Sequence, residues 1–585
     1  MINNYLYYDV IIMGSGGAGL RAAISSAEKG CKTVIVTKGK INRSGATLLA
    51  GANISADIAC DGKSLWEMGF NTDKDDSKEK WFKDIITEGF YLNNDELVSR
   101  YVEDAPKRVK ELIDWGMKVN GLEGDRAISV EGTEILDTLY RNAKSLNVGF
   151  IEDNLVSDIV TEGNKFVGII SIDILSGDIS FIGAKSLVIA SGGMHFVFPF
   201  HSGSTDLTGD GQAAALRAGV EMIDMEMVTF CPLIIKHPLK YRGSILPYIL
   251  QSFGYGEILN KYGKNFLDDV FEKDVLYYAW HSEWNKLLLS YAFSKEILNG
   301  NGTPDGGLYY VMSSSPKEIY KEMYSNWPGF KKGVNPEIMS ILENGNALVI
   351  APGAHYFEGG IKINDKMETN VQGIFAAGEC TGGLFGANRV SSALTEMLVE
   401  GAIAGENAAI YAKDINNIKP DKDLIDKYVE PITKPFNVNK GTNVLEMRKY
   451  LHDITYANLW VIRDGEKLQT CLSKLDEIKN GIDEIYIKNK SLKYNKEWIE
   501  YIELRNVYYC AKAIAKSALL RTESRGVHFR SDYPITNNEE WLKHIIIVDA
   551  NFNYRFENIR RGISEAEIKK LSYIDFIRYL VNKLT

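Results

Sequence analysis

The stretch VIIMGSGGAGLRAAISSAEKGCKTVIV, residues 10–36, carries three signals in order. Val10 to Met13 is a short apolar run rich in β-branched residues, suited to a buried parallel strand. Leu20 to Lys29 is alanine-rich and reads as a helix, and Thr33 to Val36 reads as a second strand. Gly14, Gly16 and Gly19 therefore fall at a strand-to-helix turn. In a βαβ unit the first glycine permits the tight turn and the second lets a pyrophosphate approach the backbone, while the third lets helix and strand pack closely. The helix N-terminus faces the phosphates, so Gly17 and Ala18 join the three glycines as candidate cofactor contacts. The spacing predicts dinucleotide binding. An acidic residue about 20 positions on normally meets the ribose. Thr37 and Lys38 stand there instead and are the candidate contacts at that position. The motif alone does not choose FAD over NAD.

A chain of 585 residues is too long for one core, which implies several domains. Hydrophobic content of 45% and charged content of 25% are ordinary for a globular protein, and a net charge of -10 argues against nonspecific nucleic-acid binding. No apolar run approaches the roughly 20 residues of a membrane span, and the early glycine turn leaves no room for a signal peptide. A cytoplasmic protein without a membrane span is expected. The six cysteines (31, 60, 231, 380, 471 and 510) show no CxxC spacing, so they read as reduced thiols, and no metal or cluster ligation is expected of this chain alone.

Beyond the first βαβ unit, INRSGATLLAGANIS is a loop of small residues, and helical spacing recurs from Trp81 to Trp115. Strand-like runs return at Val148 to Ile151, Phe166 to Ile172 and Ser186 to Ile189, the last leading into ASGG. Residues 236–345 differ in character, being rich in tyrosine and tryptophan. The glycine-rich, strand-like texture resumes at Gly353 to Gly360 and at GIFAAGECTGG. Beyond 415, lysine-rich amphipathic patterns dominate and strand signals are few, so a helical domain is expected.

The segments GSGGAG, RSGAT, ASGG, TGDG, GTPDGG, GAHYFEGGI, GIFAAGE, GANR and RTESRGVHFRSDYP occur in one order across nearly the whole chain. In that order they resemble the flavoprotein family of fumarate reductase, succinate dehydrogenase, L-aspartate oxidase and adenylylsulfate reductase. The resemblance implies an α/β fold: a doubly wound FAD-binding domain split into 1–235 and 346–414, an inserted α+β capping domain at 236–345, and a helical C-terminal domain at 415–585. It also implies FAD as the cofactor. Ser44, Gly45, Ala46, Thr47 and Gly51 then approach the flavin, and because the loop lacks the histidine of covalently flavinylated members, noncovalent FAD is expected. Ala190, Ser191 and Gly192 line the same cofactor, and Asp210 and Glu379 are placed to accept hydrogen bonds from its hydroxyls. Ser391, Ser392 and Leu394 approach the isoalloxazine, in a segment one residue shorter than the family pattern.

Family chemistry exchanges hydride between flavin N5 and a carbon-carbon bond beside a carboxylate, while a protein group handles the proton. His355 in GAHY and Arg389 in GANR match the residues that bind the carboxylate, a task suited to the two-pronged guanidinium. Other signature positions are lost: CPLI from Cys231 replaces HPTG, and YILQSFGYGEIL lacks a carboxylate-arginine pair. Aligned on SYAFSKEILNGNGTPDGG, Tyr291 takes the place of the proton-donating arginine, so Tyr291 is either the donor or a packing aromatic. Tyr241, Tyr248, Phe253, Tyr255, Trp280 and Trp284 either line an apolar pocket or fill the capping core.

The expected activity is reduction of an activated C=C bond in a small carboxylate substrate other than ordinary fumarate. The resemblance implies an iron–sulfur protein as electron-transfer partner, and an oligomer is compatible with it. Two alternatives stay open: sulfur chemistry like that of adenylylsulfate reductase, and a flavin electron carrier with a vestigial pocket. The dense set Arg521, Glu523, Arg525, His528, Arg530 and Asp532 reads as a polar network that locks the helical domain down.

Overall fold

The computed structural model describes residues 2–50, 56–246, 255–281, 284–312, 335–416, 420–559 and 570–584. Strands Val10–Met13 and Thr33–Val36 flank the helix Gly17–Glu28. They lie in a five-stranded sheet whose order is Ile374–Ala376, Ser186–Ile189, Val10–Met13, Thr33–Val36, Gly149–Ile151, with every neighbouring pair parallel. The three inner strands are buried at every residue, as their unbroken apolar runs require in a sheet covered on both faces. The edge strand Ile374–Ala376 arrives from far down the chain, and the helix Ala393–Asp414 that follows it packs on Gly17–Glu28. One domain is thus assembled from two stretches of sequence.

A second sheet joins Asn4–Tyr7, Ile179–Gly183, Lys165–Asp173 and Asn154–Glu162 in that order. Between the two halves lies an α+β layer. Its antiparallel sheet runs Val228–His237, Leu348–Phe357, Leu308–Met312, Gly256–Leu259, and it carries the helices Lys273–His281 and Asn285–Glu296. The long helices Val444–Asn458, Gly465–Asp483 and Lys496–Leu520 form the C-terminal domain. The chain is an α/β protein with a split doubly wound domain, an inserted layer and a helical C-terminal domain.

The C-terminal region holds more strand than its sequence suggests. Lys543–Ile547 and Tyr554–Asn558 pair antiparallel, and the first of them also pairs with Met222–Ile223 in the same five-stranded sheet. Tyr554–Asn558 is an edge strand open to solvent on much of its length, so burial did not impress a strong pattern on it.

Beside that sheet lies the expected network. Arg521 bonds Glu226 at 2.5 Å, Asp224 at 3.3 Å and Glu523 at 3.3 Å, and Arg525 bonds Glu523 at 2.7 Å, with all five side chains essentially without solvent exposure. Arg463 donates to His528 Nδ1 at 2.9 Å. Because an arginine only donates, that ring nitrogen is an acceptor and the buried His528 is neutral; burial and then the surrounding arginines hold its pKa well below the ordinary value. The network ties segments near 224, 463 and 521–530 into one interior.

Candidate active site and cofactor cradle

At the first glycine turn the backbone is crowded everywhere but one place. Gly14 has φ +110°, and a Cβ there would meet Ala190 O at 2.3 Å; a Cβ on Gly19 would meet Gly14 O at 2.0 Å. At Gly16 an added Cβ meets only Thr47 Oγ1, at 3.6 Å. The chain thus needs the outer two glycines for its own packing, while Gly16 borders open space. The Gly17 N–H donates to Thr47 Oγ1 at 3.2 Å, and the Ser15 and Thr37 hydroxyls share a 2.9 Å bond. Ala18 lies buried in the first turn of the helix. Ser44 is anchored on Lys40 O at 2.8 Å, and Gly45 leads into the short helix Ala46–Leu49. Gly51 lies outside the described residues, as do Tyr248 and Phe253. Across the turn, Ala190 N–H donates to Met13 O and Gln212 Nε2 to Gly192 O, both at 2.8 Å, and Ser191 Oγ bonds Gln212 Oε1 at 3.5 Å.

Lys38 finds a use that the sequence did not announce. Its ammonium bonds Thr208 at 2.6 Å, Asp210 at 2.8 Å and Glu503 at 2.9 Å. Burial works against its charged form, but the two carboxylates outweigh that and raise its pKa above the ordinary value. Asp210 spends its other oxygen on Thr208 and Asn506, both at 2.8 Å, so the chain itself supplies donors to both of its oxygens. Asp210 joins the strand-end lysine to the C-terminal helix Lys496–Leu520. Glu379 differs: its Oε1 is buried with no hydrogen-bond partner, 3.6 Å from His195 Nε2. Burial, then the Glu396 charge, push its pKa well above the usual range. Open backbone at Gly16, a helix N-terminus beside it and an acceptor lacking a donor suit a dinucleotide that carries hydroxyls. The residues present fit FAD.

The strand Leu348–Phe357 and the turn before helix Ala393–Asp414 bring His355 and Arg389 together. His355 Nδ1 lies 2.8 Å from Ser202 Oγ. Burial, then the charges of Lys286 and Arg389, hold His355 well below its ordinary pKa, so it is neutral. In the tautomer in which Nδ1 accepts from Ser202, Nε2–H is a donor. Arg389 is half-buried, lies 4.8 Å over the Tyr356 ring and donates through Nη1 to Ser391 O at 3.0 Å. Tyr356 in turn donates to Glu396 at 2.5 Å. Ser391 also accepts from Trp81, and Ser392 caps Ala393–Asp414 through Leu394 N–H at 3.2 Å. Both serines therefore shape the turn that presents Arg389.

Glu358 adds a buried carboxylate to this pocket. Thr229 donates to its Oε1, the Arg389 N–H approaches the same oxygen at 3.3 Å, and Oε2 has no partner. Burial raises it from 4.5 to about 7, against those hydrogen bonds and the Arg389 charge. A folded pKa above the unfolded one gives a contribution that is full below pH 4.5 and is lost as pH rises through 7. The melting temperature of Glu358→Gln, which cannot ionise, should therefore rise relative to wild type as pH increases from about 4.5 to 7 and keep that lead above it. Parallel profiles of melting temperature against pH would mean that Glu358 does not titrate in this window.

Tyr291 does not join the pocket. Its ring lies 4.7 Å edge-on from Phe529, 6.3 Å from Tyr573 and 6.5 Å from Phe271, an aromatic cluster at the back of helix Asn285–Glu296. The same helix carries the half-buried Lys286, whose charge bears on His355. Five residues advance a helix by about 500°, leaving Lys286 and Tyr291 about 140° apart. Of the two roles open to Tyr291 in the sequence, donor or packing aromatic, its ring contacts favour packing. Tyr291→Phe should accordingly leave substrate-driven flavin reoxidation within about a factor of two, and a slowing of 100-fold would restore the tyrosine as an acid. Trp284 is fully buried and its indole donates to Glu88 at 2.9 Å, so it packs the core, while Tyr255 and Trp280 are half-buried.

Residues 9–394 match the family model described as FAD binding domain, and residues 448–573 match that described as fumarate reductase flavoprotein C-term. The chain belongs to the fumarate reductase flavoprotein family. As a member of that family it is an FAD-dependent oxidoreductase. It is 33% identical over 567 residues to an uncharacterised FAD-dependent oxidoreductase of Methanocaldococcus jannaschii, covering 92% of this chain and 96% of that one. It is 29% identical over 556 residues to one subunit of the CoM/CoB fumarate reductase of Methanothermobacter marburgensis, with coverage of 92% and 96%. Among solved structures, Mycobacterium smegmatis Sdh1 superposes with a TM-score of 0.83 at 26% identity, covering 96% of each chain. Adenylylsulfate reductase of Archaeoglobus fulgidus shares the fold, with a TM-score of 0.76 at 19% identity and coverage of 96% and 97%. No helix among the described residues of this flavoprotein is long and apolar enough to cross a membrane.

Proposed function

We propose that this flavoprotein reduces an activated C=C bond in a carboxylate-bearing substrate other than ordinary fumarate. The observation that carries the reading is the convergence on neutral, buried His355 of the charges of two half-buried cations, Arg389 and Lys286. Arg389 pairs the substrate carboxylate, since an unpaired buried charge costs several kcal/mol, and the His355 Nε2–H adds a neutral donor. FAD, held by the turn at Gly16 and by Glu379, supplies hydride-transfer chemistry when bound. Lys286 delivers a proton to the carbon next to the carboxylate and is reprotonated from solvent, so the alkene gains one hydride and one proton in balance. The buried Glu358 beside Arg389 offsets part of the positive charge that two carboxylates would require, which supports a substrate with a single carboxylate at this end. Noncovalent FAD and an iron–sulfur protein as electron source complete the proposal, supported by the relatives being named as subunits of larger reductases.

The test is reoxidation of the photoreduced enzyme by crotonate, cinnamate, fumarate and adenylylsulfate. A monocarboxylic enoate should be the fastest. Reoxidation by adenylylsulfate alone would select sulfur chemistry, and reoxidation by none would leave an electron carrier. For the substrate so found, Arg389→Lys should weaken binding by about 1 to 3 kcal/mol, roughly 5- to 150-fold, with FAD content unchanged, because lysine keeps the charge and loses the fork. An unchanged Michaelis constant would make Arg389 structural.

A further inference from the structure

The family match at the C-terminus ends at residue 573, where a last helix, Tyr573–Leu584, begins. Its inward face is buried: Tyr573, Phe576, Ile577 and Leu580 are at most 3% exposed. It packs on the helix Lys78–Glu88 and on the strands Ile535–Asn537 and Lys570–Ser572, and it reaches the helix that carries Lys286 through ring contacts. Tyr573 donates its hydroxyl to Gly526 O at 2.5 Å and sets its ring 6.3 Å from Tyr291 in helix Asn285–Glu296. Phe576 lies 5.9 Å from Phe90, and Phe90 lies 5.2 Å from Trp284, two residues before Lys286. Arg578 pairs with Glu272 at 2.8 Å, just ahead of helix Lys273–His281. The aromatic relay also rests on a strained loop. Phe90 and Tyr91 have φ of +57° and +60°, uncommon for bulky residues, and the Phe90 carbonyl is held by Arg525 at 2.7 Å.

We propose that the C-terminal helix is a strap that sets the position of Lys286, with Phe576 and Tyr573 as its positioning residues. Its functional meaning rests on Lys286 being the proton donor; its structural content does not. Phe576 fills the space behind Phe90 and keeps Trp284 seated at the start of helix Asn285–Glu296. Tyr573 braces the same helix from the Tyr291 side. Held at its N-cap through Trp284 and at mid-length through Tyr291, the helix keeps the lysine near His355. Truncating Phe576 lets Phe90 and Trp284 relax into the vacated volume and loosens the helix end.

The position of Lys286 is read directly by acetylation of the FAD-loaded enzyme with N-hydroxysuccinimidyl acetate, quantified at each lysine by mass spectrometry. Phe576→Ala should acetylate Lys286 about tenfold faster than wild type, while the remote Lys29 is unchanged and Phe576→Leu returns Lys286 to within about twofold. If Phe576→Ala does not fold, Tyr573→Phe, which removes only the bond to Gly526, should give about a threefold acceleration confined to Lys286. An unchanged Lys286 rate in a folded variant, or equal acceleration at Lys29, overturns the strap. Because this readout follows position and not chemistry, it is separate from the fate of the donor reading: a Lys286→Met enzyme of wild-type activity would sink the donor, and a chemically impaired Lys286→Met with an unmoved lysine in Phe576→Ala would sink the strap.

Discussion

Gly16→Val yields a folded protein that retains no FAD. Gly16 has φ -68° and ψ -173°, a conformation open to valine, so the backbone needs no rearrangement. Within the chain, a Cβ at this position makes only one ordinary contact, with Thr47 Oγ1 at 3.6 Å. The space a valine side chain takes is the space a pyrophosphate uses at the N-terminus of Gly17–Glu28. The expected outcome is therefore a near-native circular dichroism spectrum with flavin lost on gel filtration. Gly14→Val is the contrasting variant: φ +110° and a 2.3 Å approach to Ala190 O make it fail at folding and not at binding. A yellow Gly16→Val protein with the wild-type ratio of flavin to protein would refute the cradle assignment. In wild type, acid precipitation should release all the flavin to the supernatant, as a noncovalent link requires.

The parts that could be read from sequence are those whose physics is local. Strand Val10–Met13, the glycine turn and Thr33–Val36 each follow from residues within a few positions, and both strands form at the residues their composition marks. Ser186–Ile189 is the same kind of element, an apolar run sealed on both sides. Lys38 shows where this stops. The lack of an acidic residue at the strand end was visible, but the partner Glu503 comes from 465 residues away, and nothing local tells that a lysine will be buried between two carboxylates. Glu358 was equally silent: in YFEGG a glutamate reads as a turn residue, and only the folded strand pair puts it under Thr229 and beside Arg389. At Tyr291 the open choice between donor and packing aromatic was one of phase. A gapless match of SYAFSKEILNGNGTPDGG fixed the helix, yet which of its faces meets the pocket depends on Phe529 and Tyr573, both beyond residue 520.

Lys286→Met slows substrate-driven flavin reoxidation by about 100- to 10,000-fold, the range of a lost general acid. Reduction of an alkene needs a proton at one carbon as hydride arrives at the other, and an ammonium carries one at neutral pH on a stem with several rotatable bonds. Among the groups around the pocket, His355 is neutral and placed to hold the carboxylate, Arg389 is forked over Tyr356, and Glu358 and Glu396 are buried carboxyls raised to about 7. Lys286 is half-buried on the helix Asn285–Glu296 of the inserted layer, and its charge bears on His355. Methionine keeps much of the side-chain length and removes the charge and the proton together. Two readings of a slower enzyme then separate by kinetics. If the ammonium only attracts the carboxylate, the variant raises the Michaelis constant and reaches the wild-type rate at saturation; if it donates the proton, the limiting rate itself falls. Reduction of the flavin by dithionite should be unchanged in either case, since it involves no substrate proton. The solvent deuterium effect on the limiting rate, expected above about twofold in wild type, should also change in the variant as proton transfer passes to water. A limiting rate within about threefold of wild type would remove Lys286 from the chemistry, and Glu396, through its bond to Tyr356, would become the next group to replace.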